Sequence, residues 1–359
     1  MTVQPGRKNA KRIVVKIGSS LFYTEKKKPD LSLFDSLSSQ IARLVQSHHE
    51  LVVVSSGAIA LGMSLLKLET RPKELSRLQA AAAVGQNELM KLYGEAFKKH
   101  GILCAQVLLT WDDFTSRTRY LNAVNTLDTV LKLGCVPVIN ENDTVSTDEI
   151  RFGDNDQLSS LVAALVSADL LVILSDVEGL LDKDKKTVVR TVVRIDSAIT
   201  ALAGSTQKQT SVGGMASKLK AAKMSQDSGI PCVIAAGRAS DVLVRLADDL
   251  TCCGTHFVAR KSGMSQKQRW IAFSAKPKGS IVVDDGAKKA LREGKSLLCV
   301  GVTGVEGLFS ACDVVRIKDK FSVEFARGKA GLSCTVLAQN CGSRFQKEAM
   351  HRDNIVLLE

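Results

Sequence analysis

The stretch Asn140-Glu141-Asn142-Asp143-Thr144-Val145-Ser146-Thr147-Asp148-Glu149-Ile150-Arg151-Phe152-Gly153-Asp154-Asn155-Asp156 crowds carboxylates and asparagine amides between two apolar runs. Val136–Ile139 before it reads as a buried strand, and Leu158–Val166 after it as a helix. A carboxylate beside a core must stay wet, pair with a cation or hold a ligand, because burying it unpaired is costly. Two Asn/Asp clusters, Asn140–Asp143 and Asp154–Asp156, lie against the apolar walls and point to a ligand. Between them, Thr144–Phe152 fits a plain exposed loop, with Asp148 and Glu149 as its solvated part.

Working outward, short β-branched runs alternate with helix-length amphipathic stretches over the first 250 or so residues. Strands are predicted at Arg12–Ile17, Leu51–Ser55, Leu103–Leu109, Val136–Ile139, Leu170–Ser175 and Pro231–Ala235. Helices are predicted at Ser32–Ser47, Glu74–Lys99, Thr118–Leu133, Asp156–Ala168 and Met215–Ser228. Near-continuous apolar strands separated by helices predict an α/β fold, a mostly parallel sheet covered on both faces. Ligands then bind beyond the carboxyl ends of the strands. After Cys253 the pattern changes. Residues 254–275 read as a polar, basic connector, and beyond it short strands are predicted at Ser280–Val283, Ser296–Val300, Asp313–Ile317, Phe321–Ala326 and Asn354–Leu358. One short helix, Asp285–Glu293, completes a small, mainly β second domain.

The bulk numbers narrow the classes. The 359 residues suffice for two domains, and 45% hydrophobic with 24% charged residues is ordinary for a globular protein. Aromatics, at 4%, are too sparse for a stacking platform on single-stranded nucleic acid. The net charge of +12 is uneven: residues 251–359 carry 18 Lys+Arg against 10 Asp+Glu. A polyanion-facing tail is compatible with that balance. Nine scattered cysteines without a Cys-x-x-Cys, and five histidines without metal-ligand spacing, predict a reducing compartment and no disulfide framework or structural zinc. No secretory signal or membrane span is legible, so a cytoplasmic location is expected.

Four further segments carry chemistry. Lys16-Ile17-Gly18-Ser19-Ser20 closes the first strand, where a small turn admits a phosphate and the ammonium neutralises it. Ser55-Ser56-Gly57-Ala58-Ile59 closes the second in the same manner. Gly213-Gly214-Met215-Ala216-Ser217-Lys218 opens a helix whose free N–H groups and dipole form an anion site. Ser175-Asp176 ends the Leu170–Leu174 run and suits contact with a nucleotide. Each is equally compatible with an ordinary turn or helix start. Together, two lysines and two glycine turns suit a polyphosphate, and the acidic, amide-rich loop suits an acceptor bearing an ammonium group and a divalent metal on the phosphates.

In order, these motifs resemble the amino acid kinase family. The resemblance runs through Val14–Ser19, Val54–Ala60, Ala82–Gln86, Leu108–Thr110, Val138–Asp143, Gly153–Asp156, Ser175–Asp176, Gly213–Lys218 and Ile234–Gly237. Its Asn-Glu-Asn-Asp and Gly-Asp-Asn-Asp pair is that of the branch that phosphorylates L-glutamate. The tail resembles a PUA domain through Gly279–Ala287, Ser296–Leu298 and Phe325–Gly328. The resemblance implies a three-layer sandwich around a mostly parallel sheet, with a catalytic domain over 1–253, a linker over 254–275 and a PUA-like domain over 276–359.

It further implies ATP-dependent phosphorylation of the γ-carboxylate of L-glutamate to L-glutamyl 5-phosphate, the first step of proline biosynthesis, with ATP and Mg2+. By the resemblance Lys16 and Lys218 flank the moving phosphoryl group and Asp156 orients them. Ser56, Asp143 and Asn155 hold glutamate. Lys16, Gly18, Ser19, Ser175, Asp176 and the segment Val212, Gly213, Gly214, Met215, Ala216, Ser217 and Lys218 serve ATP; no metal ligand is assigned. Charge agrees: Asp143 can pair with the α-ammonium, and the Asn155 amide can donate to a carboxylate that an acid would repel. A glutamyl phosphate reductase, RNA on the PUA-like tail and a second copy of the chain are the partners implied. The alternatives are a kinase of another acceptor (acetylglutamate, aspartate, carbamate or a phosphate monoester) and a protein that binds RNA through its tail.

Overall fold

A computed structural model describes residues 10–23, 29–146, 155–204, 214–260 and 264–358. The middle of the acidic stretch, with Asp148, Glu149 and Asp154, and the residues Val212 and Gly213 lie outside the described residues. The chain divides into two compact units, one of residues 1–113 and 118–262, the other of 114–117 and 263–359.

The first unit is built on eight strands: β1 (Arg12–Ile17), β2 (Glu50–Ser55), β3 (Cys104–Leu109), β4 (Val136–Glu141), β5 (Leu170–Ser175), β6 (Thr191–Val192), β7 (Cys232–Ala236) and β8 (Thr255–Phe257). They lie in the order β3-β4-β2-β1-β5-β7-β8-β6. All pairs are parallel except β7 with β8. Helices α1 (Leu31–Gln46), α2 (Ala58–Leu65), α3 (Leu75–Lys98), α4 (Trp111–Thr115), α5 (Arg117–Lys132), α6 (Asn155–Leu165), α7 (Ser197–Leu202), α8 (Met215–Asp227) and α9 (Val242–Asp248) connect them. The central strands are apolar on both faces because both are covered. Ile13, Val15, Ile17, Leu51, Val53, Val172 and Val233 face a core shared with α1, α2, α3 and α9. Val14, Val52, Val54, Leu171 and Ile173, of opposite parity, are buried too, and α6 and α8 pack together and against the sheet. Lys16 has the parity of Val14.

The expected strands and long helices of this unit form within a residue or two, apart from Asp156–Ala168, whose helix stops at Leu165. One expectation is corrected. Part of the connector, Thr255–Phe257, is a sheet strand, inserted between β7 and β6. Gly254 before it, at φ +74°, lies so close to Ile234 O that a Cβ would sit 2.2 Å away, so only glycine joins this strand here.

The second unit holds a five-stranded sheet ordered β10-β9-β11-β12-β13, from β9 (Gly279–Val283), β10 (Val302–Gly307), β11 (Val314–Lys318), β12 (Glu324–Lys329) and β13 (Ile355–Leu357). Helix α10 (Gln266–Arg269), continued by a π-helical turn over Trp270–Ser274, lies in the last part of the expected connector. Ile281, Val283, Val315, Ile317, Phe325 and Met350 centre its core. Helix α11 (Asp285–Arg292) starts on the Asp284 carboxylate, which accepts from the Ala287 N–H at 2.7 Å. Two strand predictions shift. Ser296–Val300 is not a strand but a single bridge at Leu297 and a 3-10 turn; the strand follows at Val302. Phe321–Val323 is a turn, because Asp319 Oδ1 accepts from the Phe321 and Val323 N–H groups, both at 3.0 Å, and Ser322 takes φ +63°.

Candidate active site

The parallel register brings the carboxyl ends of six strands to one edge of the sheet. Ile17 lies beside Ser55 on one side and Leu174 on the other, Ser175 beside Ala236, and Leu109 beside Glu141. Just beyond that edge the chain makes its glycine turns. The Gly18 N–H donates to Leu174 O at 3.1 Å, and a Cβ there would stand 3.2 Å from the same oxygen. Gly57 starts α2 at φ +101°, a left-handed conformation that favours glycine.

The charged centre assembles from three elements. Lys16 on β1 points to the α6 side of the sheet, where Asp156 stands in the first turn of α6 and Lys218 in the first turn of α8. The Asp156 carboxylate joins both lysines: Oδ1 pairs with Lys16 Nζ, and Oδ2 lies 3.3 Å from Lys218 Nζ. All three are buried, with exposures of 2%, 0% and 6% for Lys16, Asp156 and Lys218. Two ammonium groups against one carboxylate leave this centre formally cationic, which suits an anionic ligand. The α6–α8 contact that sets the spacing is pinned where Ser160 Oγ donates to Ala221 O at 2.8 Å. Burial, and then the Asp156 charge, push the nearby Cys232 thiol up and keep it protonated.

Ser175 is buried at the end of β5 and its hydroxyl donates to Asp176 Oδ1 at 3.0 Å; Asp176 itself is exposed. Helix α8 begins at Gly214 without a side-chain cap, so its first N–H groups are offered beyond the helix end. Ser217 Oγ in that first turn is buried and has no partner among the described residues.

A cleft of about 290 Å³ is lined by Ala58, Gln86, Gln106, Glu141, Asn142 and Asp143, among others. A chain of amides connects its Gln86 to Asn155, the neighbour of Asp156. Asn155 Nδ2 donates to Ser55 O and to Asn140 Oδ1, the latter at 2.8 Å, and Asn140 Nδ2 donates to Gln86 Oε1 at 2.8 Å. Asp143 lines this cleft, and Ser56 follows the end of β2, two residues before Ala58. The Asn155 amide gives its two hydrogens to Ser55 O and Asn140 Oδ1, which joins it to this chain. Asn140 and Gln86 are what sequence reasoning left without individual roles.

The backbone crossing of α2 and α3 holds Gln86 in place. A Cβ on Gly62 would lie 1.7 Å from Ala81 O, and one on Gly85 would lie 1.8 Å from Ala58 O. The signal was available in the sequence as two glycines inside helical runs, a costly choice unless backbones meet there.

Residues 11–236 match the amino acid kinase family and residues 279–347 the PUA domain. The chain belongs to the amino acid kinase family. Its full-length relatives are glutamate 5-kinases. It is 43% identical over 368 residues to that of Geobacter sp. (strain M21), covering 98% of each chain. It is 46% identical over 368 residues to that of Variovorax paradoxus (strain S110), covering 98% of this chain and 97% of the relative. Among solved structures, carbamate kinase of Giardia shares the fold at 17% identity and a TM-score of 0.51, over 70% of this chain and 99% of its own.

Proposed function

We propose that the protein transfers the γ-phosphoryl group of ATP to the γ-carboxylate of L-glutamate, giving L-glutamyl 5-phosphate and ADP, the first step of proline biosynthesis. The observation that carries this reading is the Asp156 carboxylate held between Lys16 and Lys218. With an oxygen on each lysine, Asp156 is not placed to act as a base. A hydroxyl acceptor would need one; a carboxylate is already ionised at neutral pH and needs only alignment and positive charge where the phosphoryl group moves. The cleft's Asp143 suits an acceptor with a free ammonium, and with Glu141 beside it disfavours a phosphate monoester.

In this reading a γ-carboxylate oxygen attacks the terminal phosphorus, the bond to the bridging oxygen breaks, and the electron pair leaves on ADP. Lys16 and Lys218 stabilise the charge on the transferring group and Asp156 positions them. Gly18, Ser19 and the α8 start from Gly214 to Ser217 receive the phosphates, with Val212 and Gly213 preceding them, and Ser175 and Asp176 serve the nucleoside. Ser56, Asp143 and Asn155 hold glutamate. Among the described residues no three His, Cys, Asp or Glu side chains converge on a metal site. Mg2+ would be carried on the nucleotide's phosphates, where it would offset their charge.

The second unit's charge supports RNA as its partner, and the lability of an acyl phosphate supports a reductase that consumes the product promptly. Self-association of the chain is the corresponding proposal for its quaternary state. No helix among the described residues is long and apolar enough to cross a membrane.

The test is an acceptor panel. With Mg-ATP and hydroxylamine as trap, L-glutamate gives a hydroxamate, while N-acetylglutamate, aspartate and carbamate give little. A product from acetylglutamate or aspartate but not from glutamate would sink the reading.

A further inference from the structure

Gln86 lines the acceptor cleft and is 8% exposed. The direction of its amide follows from the backbone. The Glu141 N–H donates to one terminal atom of the Asn140 amide at 2.9 Å, and a backbone N–H can only donate, so that atom is Oδ1. Asn140 therefore turns Nδ2 toward Gln86, and Gln86 answers with Oε1 at 2.8 Å. Its nitrogen faces the other way. Gln86 Nε2 is buried and has no hydrogen-bond partner among the described residues. Folded proteins rarely leave such a donor unmatched unless a ligand or water completes it.

The cleft's composition says what kind of ligand oxygen this donor awaits. No lysine or arginine is among the described lining residues, and what this lining offers a carboxylate is amides. Asn87 and Gln106 are exposed and Asn142 half-buried, so water serves them. Gln86 is the fully enclosed amide of the set. From Asp156 the chain of contacts runs through Asn155 and Asn140 before it reaches Gln86. Gln86 thus belongs to the end of the site away from the lysines, with Asp143.

We propose that Gln86 Nε2 donates to the α-carboxylate of bound glutamate and is a specificity-determining residue, while Asp143 takes the α-ammonium on the same carbon. The inference rests on the glutamate reading above. Asn140 is the positioning residue that fixes which end of the Gln86 amide is presented.

The experiment compares wild type, Gln86→Leu and the nearly isosteric Gln86→Glu. Three ligands dissect the acceptor: L-glutamate as substrate, 4-aminobutyrate (glutamate without its α-carboxylate) and glutarate (glutamate without its ammonium) as competitors of glutamate. Gln86→Leu is expected to raise the glutamate KM about 10-fold, the worth of one hydrogen bond to a charged group. The glutarate inhibition constant should rise by a similar factor. The constant for 4-aminobutyrate and the KM for ATP should change less than about 2-fold, because neither ligand makes the contact. Gln86→Glu, which sets a carboxylate against a carboxylate, should lose more on glutamate and glutarate than Gln86→Leu does. Equal weakening of all three ligands in both variants would make Gln86 merely structural and overturn the proposal. A wild-type enzyme that fails to phosphorylate glutamate would instead overturn the reading beneath it. If Gln86→Leu melts early, the Gln86→Glu comparison across the three ligands decides alone.

Discussion

Asp156 is wholly buried because cations on two different elements answer its charge. Removing one partner from a buried charge cluster typically costs about 3–5 kcal/mol, and losing a preorganised contact to transferring charge costs about 100-fold or more in rate. Asp156→Asn should therefore lower both the melting temperature and kcat, the latter by at least about 100-fold. Melting curves and initial rates check both; wild-type kcat in a folded Asp156→Asn protein would mean that other groups align the lysines. Lys16 and Lys218 stood out in the sequence at glycine turns, while the place of Asp156 between them came from the family resemblance. The partners of the Asn155 amide were not legible, because spacing shows where an amide is, not which groups engage its hydrogens. Gln86 carried no spacing signal at all: a lone glutamine after an alanine run is an unremarkable helix residue until its buried partners are seen.

Helices α2 and α3 are the elements that set the cleft beside Gln86 and Asp143, and they do so through backbone contact at Gly62 and Gly85. A methyl group at either position meets backbone, not a yielding side chain, so the helices must separate. Gly85→Ala should cost about 1–3 kcal/mol and shift Ala58 and Gln86 together. The expected outcome is a lower melting temperature and a raised glutamate KM with the ATP KM little changed. An unchanged melting temperature would show that the crossing relaxes freely. At this scale the strands with near-continuous apolar runs were readable, since both faces of a central parallel strand are buried. The elements that escaped were β6 and β8, too short for periodicity, and β10, whose Val302-Thr303-Gly304-Val305-Glu306-Gly307 is interrupted by glycine. The turn at Phe321–Val323 was mistaken for strand because its hydrogen bonds go to Asp319, a side chain that a strand pattern does not register.

The whole chain, both units included, is matched by its glutamate 5-kinase relatives. The second unit has its own sheet and its own core, and the charge excess of +12 concentrates toward its end of the sequence. If that unit meets RNA, full-length protein should retain tRNA at low salt and release it steeply as salt rises, since phosphate contacts release counterions; no salt-sensitive retention would leave the charge as solvated surface. The division into two units was foreseeable from the change in strand spacing after Cys253, but its boundary was not, because a basic, polar composition does not distinguish a connector from a short strand and helix.

The central claim is that the γ-carboxylate of glutamate is the nucleophile toward ATP. It is tested most directly with glutamate carrying ¹⁸O in its γ-carboxylate, Mg-ATP and hydroxylamine in excess. Attack by that carboxylate leaves one of its oxygens bridging carbon and phosphorus. Hydroxylamine then attacks the carbonyl carbon and expels that oxygen with the phosphate. The predicted result is inorganic phosphate bearing one ¹⁸O atom in step with γ-glutamyl hydroxamate; phosphate released without label would contradict it.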